Sequence, residues 1–272
     1  MVTSEQRRKQ LAREKYLRQQ ERRAETRRKA RIRNAAIAAG VAVVLVLCTA
    51  YALSGGLEGK EDTASDPQPS ATPSAQKDAP DPCAKPAKGK PNGEQWKKEP
   101  ELTVDESATY TMALDTACGK IGIEMDAGKA PHTVNSFAFL AENDFFDHTE
   151  CHRLTTEGIF VLQCGDPQGS GMGGPGYTIP DENLDDERLK DGMYPAGTVA
   201  MANTGQKDSG GSQFFLVHRD SKLPPSYTPF GTVTDSGMKV LKKIAKAGVK
   251  GQAEDGRPVA TATIDDATVR KS

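Results

Sequence analysis

Apolar and polar side chains alternate along two neighbouring stretches of the chain, which predicts a β-hairpin. The stretches read YTMALD, from residue 110, and IGIEMD, from residue 121, and the residues ACGK lie between them. A period of two puts the apolar members of each stretch on one face of a sheet. Four later runs also have the composition of strands: IFVLQ, TVAMA, SQFFLVH and ATATI.

Two other segments have apolar residues every three or four positions, which predicts helices. The first is APHTVNSFAFLAEND, in which Pro131 suits the first helical turn. The second is GMKVLKKIAKAG, with its lysines on the polar side. The apolar faces consist of Val134, Phe137, Ala138 and Ala141 in the first helix and Val240, Leu241, Ile244 and Ala247 in the second.

Many short strands, two helices and glycine-rich joints are typical of a mainly β protein. The pattern lacks the regular exchange of strands and helices that a parallel α/β sheet requires. It therefore predicts a closed antiparallel barrel, formed by residues 103–272. A region of this size is long enough for one well-buried core.

Three segments of different composition precede this region. Residues 1–34 carry 13 lysines and arginines against four acidic residues, and residues 35–53 are uncharged and apolar. As a helix, this apolar run would span about 28 Å, close to the thickness of a bilayer core. Residues 54–102 hold eight of the 17 prolines and few large apolar residues, which favours a disordered, Pro-rich linker. We therefore expect a basic segment, a single transmembrane helix, a linker and a folded domain.

The basic segment predicts the orientation of the transmembrane helix. Because positive charge stays on the cytoplasmic side, residues 1–34 are expected in the cytoplasm and the folded domain on the outer side of the cell membrane. A cleaved signal peptide, and so a secreted domain, is the alternative, because AYA at Ala50–Ala52 resembles a cleavage site. The basic segment also suits anionic lipid headgroups. It lacks the interleaved aromatic residues of a nucleic-acid site, so no nucleic-acid partner is expected.

The spacing of Gly169, Gly171 and Gly174 fits G-x-G-x-x-G, the spacing of a dinucleotide-binding loop. Such a loop needs a helix N-terminus directly after it to hold the pyrophosphate. Here Pro175 and Pro180 interrupt the following residues, which argues against that helix. We therefore expect the glycines to allow tight chain reversals at an edge of the barrel.

Two further patterns offer reactive groups without the surroundings that their chemistry needs. Ser209 and Ser212 lie in DSGGSQ, which has neither the spacing nor the strand–turn–helix context of a nucleophile. His148, Cys151 and His152 carry metal-binding groups, but no second cluster with matching spacing exists in the sequence. The sequence therefore predicts no metal and no cofactor.

Four of the five cysteines follow the apolar run: Cys83, Cys118, Cys151 and Cys164. On the outer side of a membrane they would be in an oxidising environment. Four cysteines allow three complete pairings, and the sequence does not select one. We expect at least one disulfide bond.

Four separated motifs occur in the order that is typical of one known family. They are HR followed by Q-x-GD, then MAN, GSQFF and FG, within about residues 110–269. In this combination the sequence resembles the cyclophilins, the cyclosporin-binding type of peptidyl-prolyl cis–trans isomerase. The resemblance implies a closed eight-stranded antiparallel barrel capped by two α-helices.

The resemblance also implies a set of site residues. Those expected to carry catalysis are Arg153, Phe160, Gln163 and Asn203. Those expected to bind the substrate are His152, Val161, Ala202, Gln213, Phe215, Leu223 and Tyr227.

Three departures from the family pattern affect these assignments. The segment LTTEGIFVLQ is longer than the commonest family spacing, so Phe160 is placed by counting back from Gln163. Val161 stands where a methionine is frequent. Lys222 or Leu223 falls where many members have a tryptophan, so we expect only weak binding of a cyclosporin-like ligand.

The implied reaction is rotation about X–Pro peptide bonds, in proline-containing peptides and in unfolded exported proteins. Resonance opposes this rotation with a barrier of about 18–20 kcal/mol, and no bond breaks, so no nucleophile or cofactor is needed. Arg153 is expected to donate a hydrogen bond to the proline nitrogen of the twisted amide, with Gln163 orienting the guanidinium. The alternative is a cyclophilin-fold module that binds proline peptides with little or no turnover.

Overall fold

The structure is a computed structural model, and it describes residues 78–272. Within that part no helix is long and apolar enough to cross a bilayer. The predicted basic segment and transmembrane helix, residues 1–34 and 35–53, lie outside the described residues. The strands are β1 (Thr109–Thr116), β2 (Gly119–Asp126), β3 (Thr149–Glu150), β4 (Arg153–Thr155), β5 (Val161–Cys164), β6 (Met193–Tyr194), β7 (Thr198–Met201), β8 (Phe214–Val217), β9 (Ser221–Lys222), β10 (Pro229–Val233), β11 (Asp255–Gly256) and β12 (Thr263–Lys271).

The predicted hairpin is confirmed as the antiparallel pair β1 and β2. On β1, Met112 and Leu114 are buried, and on β2 the same holds for Ile121, Ile123 and Met125. The residues between them on each strand are more exposed. The period of two in the sequence therefore marks the face that packs against the core.

The two predicted helices are α1 (Pro131–Glu142) and α2 (Asp235–Ala247). Helix α1 begins at Pro131, as expected, and its Phe137 ring packs 4.6 Å from Phe230 between ring centroids. The Glu182 carboxylate accepts hydrogen bonds from the His132 and Thr133 amides of α1 at 3.0 and 2.9 Å. Glu182 thus satisfies backbone N–H groups that a helix leaves free at its start. Two 3-10 segments, Glu187–Gly192 and Lys250–Gln252, complete the helical structure of residues 78–272.

The main sheet has ten strands, in the order β11-β4-β5-β8-β7-β10-β2-β1-β12-β3. A mainly β, antiparallel architecture is therefore confirmed. The expected closed barrel of eight strands is not what the described pairings form, because no ladder joins β11 to β3. Both end strands have only two residues, which leaves little backbone to complete a ladder. Only Cys151 and His152 separate β3 from β4, the neighbour of the end strand β11, so β3 and β4 come within roughly 11 Å and the sheet curls strongly.

The curled sheet carries apolar side chains on both faces of three adjacent strands. Leu162, Phe214 and Leu216 point into the main core, and the residues that alternate with them form a second apolar cluster. This outer cluster consists of Val161, Leu189, Tyr194, Ala200, Phe215, Val217 and Leu223, with Ile159, Ala202 and Tyr227 packed against it. Strands that are buried on both faces account for the nearly continuous apolar run FFLV of β8.

Part of the expected linker differs from the prediction, since residues 78–102 contact the domain. This segment, called the arm below, contains no helix or strand. The indole of Trp96 packs against Phe139 and Phe145, with ring centroids 5.0 and 5.9 Å apart. The Trp96 amide also donates to the Pro175 carbonyl at 2.8 Å. One large aromatic side chain therefore supplies apolar burial that the proline-rich composition as a whole does not suggest.

Two disulfide bonds are present, Cys83–Cys118 and Cys151–Cys164. The expectation of at least one disulfide is confirmed. The first bond ties the arm to the turn between β1 and β2. The second joins the short link after β3 to the end of β5. Because Cys151 is bonded to Cys164, its sulfur is not a free thiolate for the metal site considered from HTECH.

We predict that removing the Cys83–Cys118 bond loosens the arm. The two cysteines are 35 residues apart, and a cross-link of that length contributes on the order of 3–4 kcal/mol in the chain-entropy account. Trp96 is the single tryptophan of the chain, so its fluorescence reports on the arm alone. In a Cys83→Ser, Cys118→Ser variant we expect the emission to shift to longer wavelength at lower urea than in the wild type. An unchanged midpoint, with Cys48→Ser as the control, would contradict the prediction.

Candidate functional site

One row of side chains crosses four neighbouring strands of the main sheet on its outer face. Arg153 of β4 pairs with Gln163 of β5, Gln163 pairs with Phe215 of β8, and Phe215 pairs with Ala200 of β7. Directly paired residues project from the same face of a sheet. A cation, an amide and an aromatic ring therefore stand side by side, about 5 Å apart from strand to strand.

The guanidinium of Arg153 is fixed by two partners. Its Nε and Nη2 atoms each donate to the Asp255 carboxylate at 2.7 Å, and Nη1 donates to Gln163 Oε1 at 3.4 Å. The bidentate pair raises the pKa of Arg153 and lowers that of Asp255. Both groups remain charged near neutral pH. The paired edge of the guanidinium is held by Asp255, which leaves N–H groups of the terminal nitrogens for another acceptor.

Asp255 was not expected from the sequence, and we predict that it positions Arg153. Asp255→Asn keeps the shape of the side chain but removes its charge. We expect kcat/KM on an X–Pro peptide to fall about threefold, the size of effect typical of an exposed ion pair. The wild-type rate should stay level from pH 8 to pH 5. It should decline only below the ordinary aspartate pKa of about 3.9, because the pair is lost as Asp255 is protonated.

A matched control is Asp266→Asn, since Asp266 is exposed on β12. That variant should have wild-type kcat/KM. If Asp255→Asn also keeps wild-type kcat/KM, Asp255 does not position the guanidinium.

The outer apolar cluster lies beside Arg153 and Gln163. The Phe215 ring contacts that of Tyr227 edge to face, with centroids 5.3 Å apart, and lies 6.3 Å from the Tyr194 ring. Val161 and Leu223 are buried in the same cluster. The structure therefore brings four predicted substrate-binding residues together. Tyr194, which the sequence analysis did not single out, supports them, because its hydroxyl donates to the Tyr227 carbonyl at 3.0 Å.

Phe160 is placed differently from the other predicted site residues. Its ring stacks on Arg219, whose Cζ lies 3.3 Å from the ring centroid, and it lies 5.8 Å from the His218 ring. Phe160 is not among the residues that pack in the outer cluster, whereas Ile159 is. Neighbouring residues of an extended chain point to opposite sides, which accounts for the separation of Phe160 from Val161.

Ala202 and Asn203 follow β7 at the edge of the outer cluster. The Ala202 amide donates to the Gln213 carbonyl at 2.9 Å. The Asn203 side chain donates to the Ser226 carbonyl at 2.7 Å and accepts from the Gly205 amide at 3.0 Å. Within residues 78–272, neither the backbone amide nor the carbonyl of Asn203 has a protein partner. This backbone is thus available to pair with that of a bound peptide.

Two glutamines connect Arg153 to the glycine-rich loop. Gln163 Nε2 donates to Gln213 Oε1 at 2.8 Å, and Gln213 Nε2 donates to the Gly173 carbonyl at 2.9 Å. In that loop Gly169 and Gly171 have φ values of +59° and +81°, a conformation that glycine adopts readily. The expected chain reversals are confirmed at these two positions, and no helix follows before Glu187.

His152 is buried directly next to Arg153 in the chain, with 8% of its surface exposed. Neither of its ring nitrogens has a hydrogen-bond partner within the described residues. Burial lowers the pKa of this imidazole, so it is neutral at pH 7. The side chain of His152 therefore acts as a packing group next to Gly171 of the glycine-rich loop.

The two serines considered as nucleophiles are engaged elsewhere. Ser212 is buried and its Oγ donates to the Gly165 carbonyl at 2.7 Å. Ser209 Oγ donates to the Gln206 carbonyl at 2.7 Å. Within residues 78–272 neither hydroxyl has a histidine as its hydrogen-bond partner, the arrangement that would activate it. The assembled groups instead offer a fixed cation, an apolar cluster and free backbone.

Comparisons with known proteins agree with this arrangement. Residues 110–269 match the family described as cyclophilin type peptidyl-prolyl cis-trans isomerase/CLD. The chain is 49% identical over 165 residues to the probable peptidyl-prolyl cis-trans isomerase B of Mycobacterium tuberculosis, covering 58% of this chain and 53% of the relative. It is 41% identical over 131 residues to peptidyl-prolyl cis-trans isomerase B of Bacillus subtilis, covering 48% and 86%. The chain thus spans about half the length of the mycobacterial relative.

A solved structure has the same fold. The Cryptosporidium parvum cyclophilin type peptidyl-prolyl cis-trans isomerase superposes with a TM-score of 0.50 at 25% identity. The match covers 60% of this chain and 99% of that one. Since the family match extends over more than half of the sequence, the chain belongs to the cyclophilin-type peptidyl-prolyl cis-trans isomerase family.

Proposed function

We propose that this protein catalyses cis–trans isomerisation of X–Pro peptide bonds. The observation that carries the proposal is the row formed by Arg153, Gln163 and Phe215. It places a fixed hydrogen-bond donor beside an apolar cluster on one face of the sheet. Membership of the family and the names of the relatives support the same activity.

The chemistry of the X–Pro bond explains why these groups suffice. In the planar amide the nitrogen lone pair is delocalised, and rotation across about 18–20 kcal/mol restores it to the nitrogen. A hydrogen bond from Arg153 to that nitrogen is weak in the planar state and strong in the twisted state. The guanidinium therefore stabilises the transition state more than the substrate, which is the condition for catalysis.

The outer cluster supplies the pocket for the proline ring. Val161, Phe215, Leu223 and Tyr227 present apolar surface, and the free backbone of Asn203 holds the peptide by main-chain hydrogen bonds. The proline ring and the adjoining peptide backbone are both held on one side of the X–Pro bond. The part of the peptide on the other side of that bond must therefore be the part that rotates. Phe160 stacks on Arg219, and we assign it a supporting role beside the outer cluster.

The test is an X–Pro isomerisation assay on the full chain solubilised in detergent. Two-dimensional NMR exchange measures the interconversion rate of a short Ala-Pro peptide directly. We expect exchange far faster than the uncatalysed process, which takes tens of seconds or longer. A rate equal to that in buffer would reject the proposal.

The second candidate is a module that binds proline peptides without turnover. The pairing of Arg153 with the Asp255 carboxylate favours this alternative, because it engages two of the five guanidinium N–H groups. The same NMR sample separates the two functions. Chemical-shift changes on binding without exchange between cis and trans signals would indicate the module.

We further propose that the domain is tethered to the cell membrane on its outer side and assists the folding of exported proteins. The basic and apolar segments at residues 1–53 support the tether. The two disulfides support an oxidising compartment. Protease added to intact cells should remove the domain and leave a small membrane-bound fragment. Resistance of the domain in intact cells, with digestion after lysis, would contradict the outer location, and recovery of the domain in the medium would indicate secretion.

Weak affinity for a cyclosporin-like ligand is proposed as well. Lys222 is exposed and Leu223 is mostly buried, so neither position offers the indole that the resemblance associates with tight binding. Calorimetry with cyclosporin should give a dissociation constant above the micromolar range. A nanomolar constant would overturn this part of the proposal.

A further inference from the structure

A second cleft adjoins the proposed proline site. It has a volume of about 890 Å³, and its near wall includes Gln163, Ala202, Asn203 and Gln213. Its floor is the glycine-rich loop around Gly173, which accepts the hydrogen bond from Gln213. A peptide with its proline in the outer cluster would therefore place a flanking residue in this cleft. The volume lies within the range of sites that bind small ligands.

The far wall of this cleft comes from the arm, outside the region that matches the family. Gln95, Lys97, Lys98 and Glu99 line it, whereas the family match begins at residue 110. The charged groups that would face a residue flanking the substrate proline therefore come from the arm, and the family domain alone does not supply them.

The arm is held firmly where it borders the cleft. The Trp96 amide donates to the Pro175 carbonyl at 2.8 Å. Gly176, with φ of +88°, lies so close beneath the arm that a Cβ atom there would approach the Trp96 carbonyl oxygen to 2.7 Å. Together with the packing of the Trp96 indole and the disulfide at Cys83, these contacts fix the backbone of Lys97 and Lys98 at the rim of the cleft.

The cleft has an excess of positive charge. Glu99 pairs with His132, and this hydrogen bond raises the pKa of the imidazole. Within residues 78–272, neither Lys97 nor Lys98 has a carboxylate within salt-bridge distance. The only other lining groups are polar, small or apolar. The two ammonium groups therefore remain available to an anion.

We propose that Lys97 and Lys98 make this cleft a subsite for an acidic side chain that flanks the proline of the substrate. The inference rests on the proposed isomerase function and narrows its substrate class to X–Pro sequences with a nearby aspartate or glutamate. The lysines are exposed, so the preference is moderate and weakens as salt screens the charges.

The experiment compares Ala-Pro peptides in which one flanking position carries Glu, Gln or Lys. That position is varied in turn over the two residues before the dipeptide and the two residues after it. Exchange rates and affinities are measured by NMR with the full chain at low and at high salt. At one flanking position we expect Glu to be preferred over Gln by roughly three- to tenfold at low salt, the sum expected of two exposed ion pairs. Lys at that position should be disfavoured, and 0.5 M salt should remove most of both effects.

The variant Lys97→Gln, Lys98→Gln should lose the preference, so that Glu and Gln peptides bind with equal affinity. Lys88→Gln, Lys90→Gln is the matched control, since these lysines are exposed on the arm away from the cleft. Equal affinity for Glu and Gln peptides at every position, or a preference that survives in the Lys97, Lys98 variant, would overturn the inference. If no peptide is isomerised, the proposed function fails, and the Glu-to-Gln ratio of affinities still decides whether the subsite exists.

Discussion

Arg153→Ala is expected to lower kcat/KM on an Ala-Pro peptide at least tenfold. A tenfold loss corresponds to about 1.4 kcal/mol of transition-state stabilisation. This is a modest contribution for the group that donates the main hydrogen bond to the twisted amide. The fold should persist, because the Arg153 side chain is 39% exposed and its partner Asp255 is 53% exposed. Loss of an exposed pair of this kind alters stability by about 1 kcal/mol or less. Circular dichroism and the thermal midpoint check that the variant is folded.

Two companion variants separate the geometry of Arg153 from its charge. Arg153→Lys keeps the charge but cannot form the two parallel bonds to Asp255, so it should remain at least threefold less active than the wild type. Arg270→Ala removes an exposed arginine from β12 and should leave kcat/KM unchanged. A folded Arg153→Ala protein with wild-type turnover would refute the mechanism.

Removal of the Cys151–Cys164 bond is expected to lower the free energy of unfolding by about 3 kcal/mol. The cysteines are 13 residues apart, and the chain-entropy account assigns a stabilisation of this size to such a loop. For a domain of this length the loss corresponds to a fall of roughly 6–12 °C in Tm. The measurement is thermal unfolding of a Cys151→Ala, Cys164→Ala variant.

Thiol counts on denatured wild-type protein accompany this measurement. One free thiol is expected without reductant and five with it, because the chain has five cysteines and the structure pairs four of them. Turnover should fall less than threefold at 20 °C, since the pairing of Arg153 with Gln163 does not pass through the disulfide. Equal thiol counts, or an unchanged Tm in the variant, would contradict the prediction.

Local sequence patterns predicted the elements of this fold better than its closure. The alternation at residues 110–126 and the helical spacing from Pro131 depend only on neighbouring residues, and both are confirmed. Closure of a sheet depends instead on how its ends meet. At those ends, strands of two residues such as β3 carry no periodic signal.

The candidate site was predictable to the extent that its residues lie within short motifs. Arg153 and Gln163 were identified from HR and Q-x-GD, and the ladder places them side by side. Asp255 was missed because it reaches Arg153 from about a hundred residues along the chain. It does so in a two-residue strand that pairs with β4. Phe160 was placed by counting back from Gln163, and the period of two directs its side chain away from that of Val161.

The arm shows how average composition can conceal specific contacts. Its prolines and polar residues are typical of a linker. Cys83 and the single tryptophan, Trp96, depart from that composition, and these residues attach the arm to the domain. A lone aromatic residue and a lone cysteine in such a segment thus deserved more weight than the mean hydropathy.

The position of β1 between β2 and β12 has a consequence for biosynthesis. Tyr110 pairs with Met125 on one side and with Lys271 on the other. While the ribosome is still making the intervening residues, β1 has one satisfied edge and one row of unpaired amide and carbonyl groups. Non-local pairings of this kind slow folding and expose an edge to wrong partners. We therefore expect the nascent chain to be most prone to aggregation before its last strand has been translated.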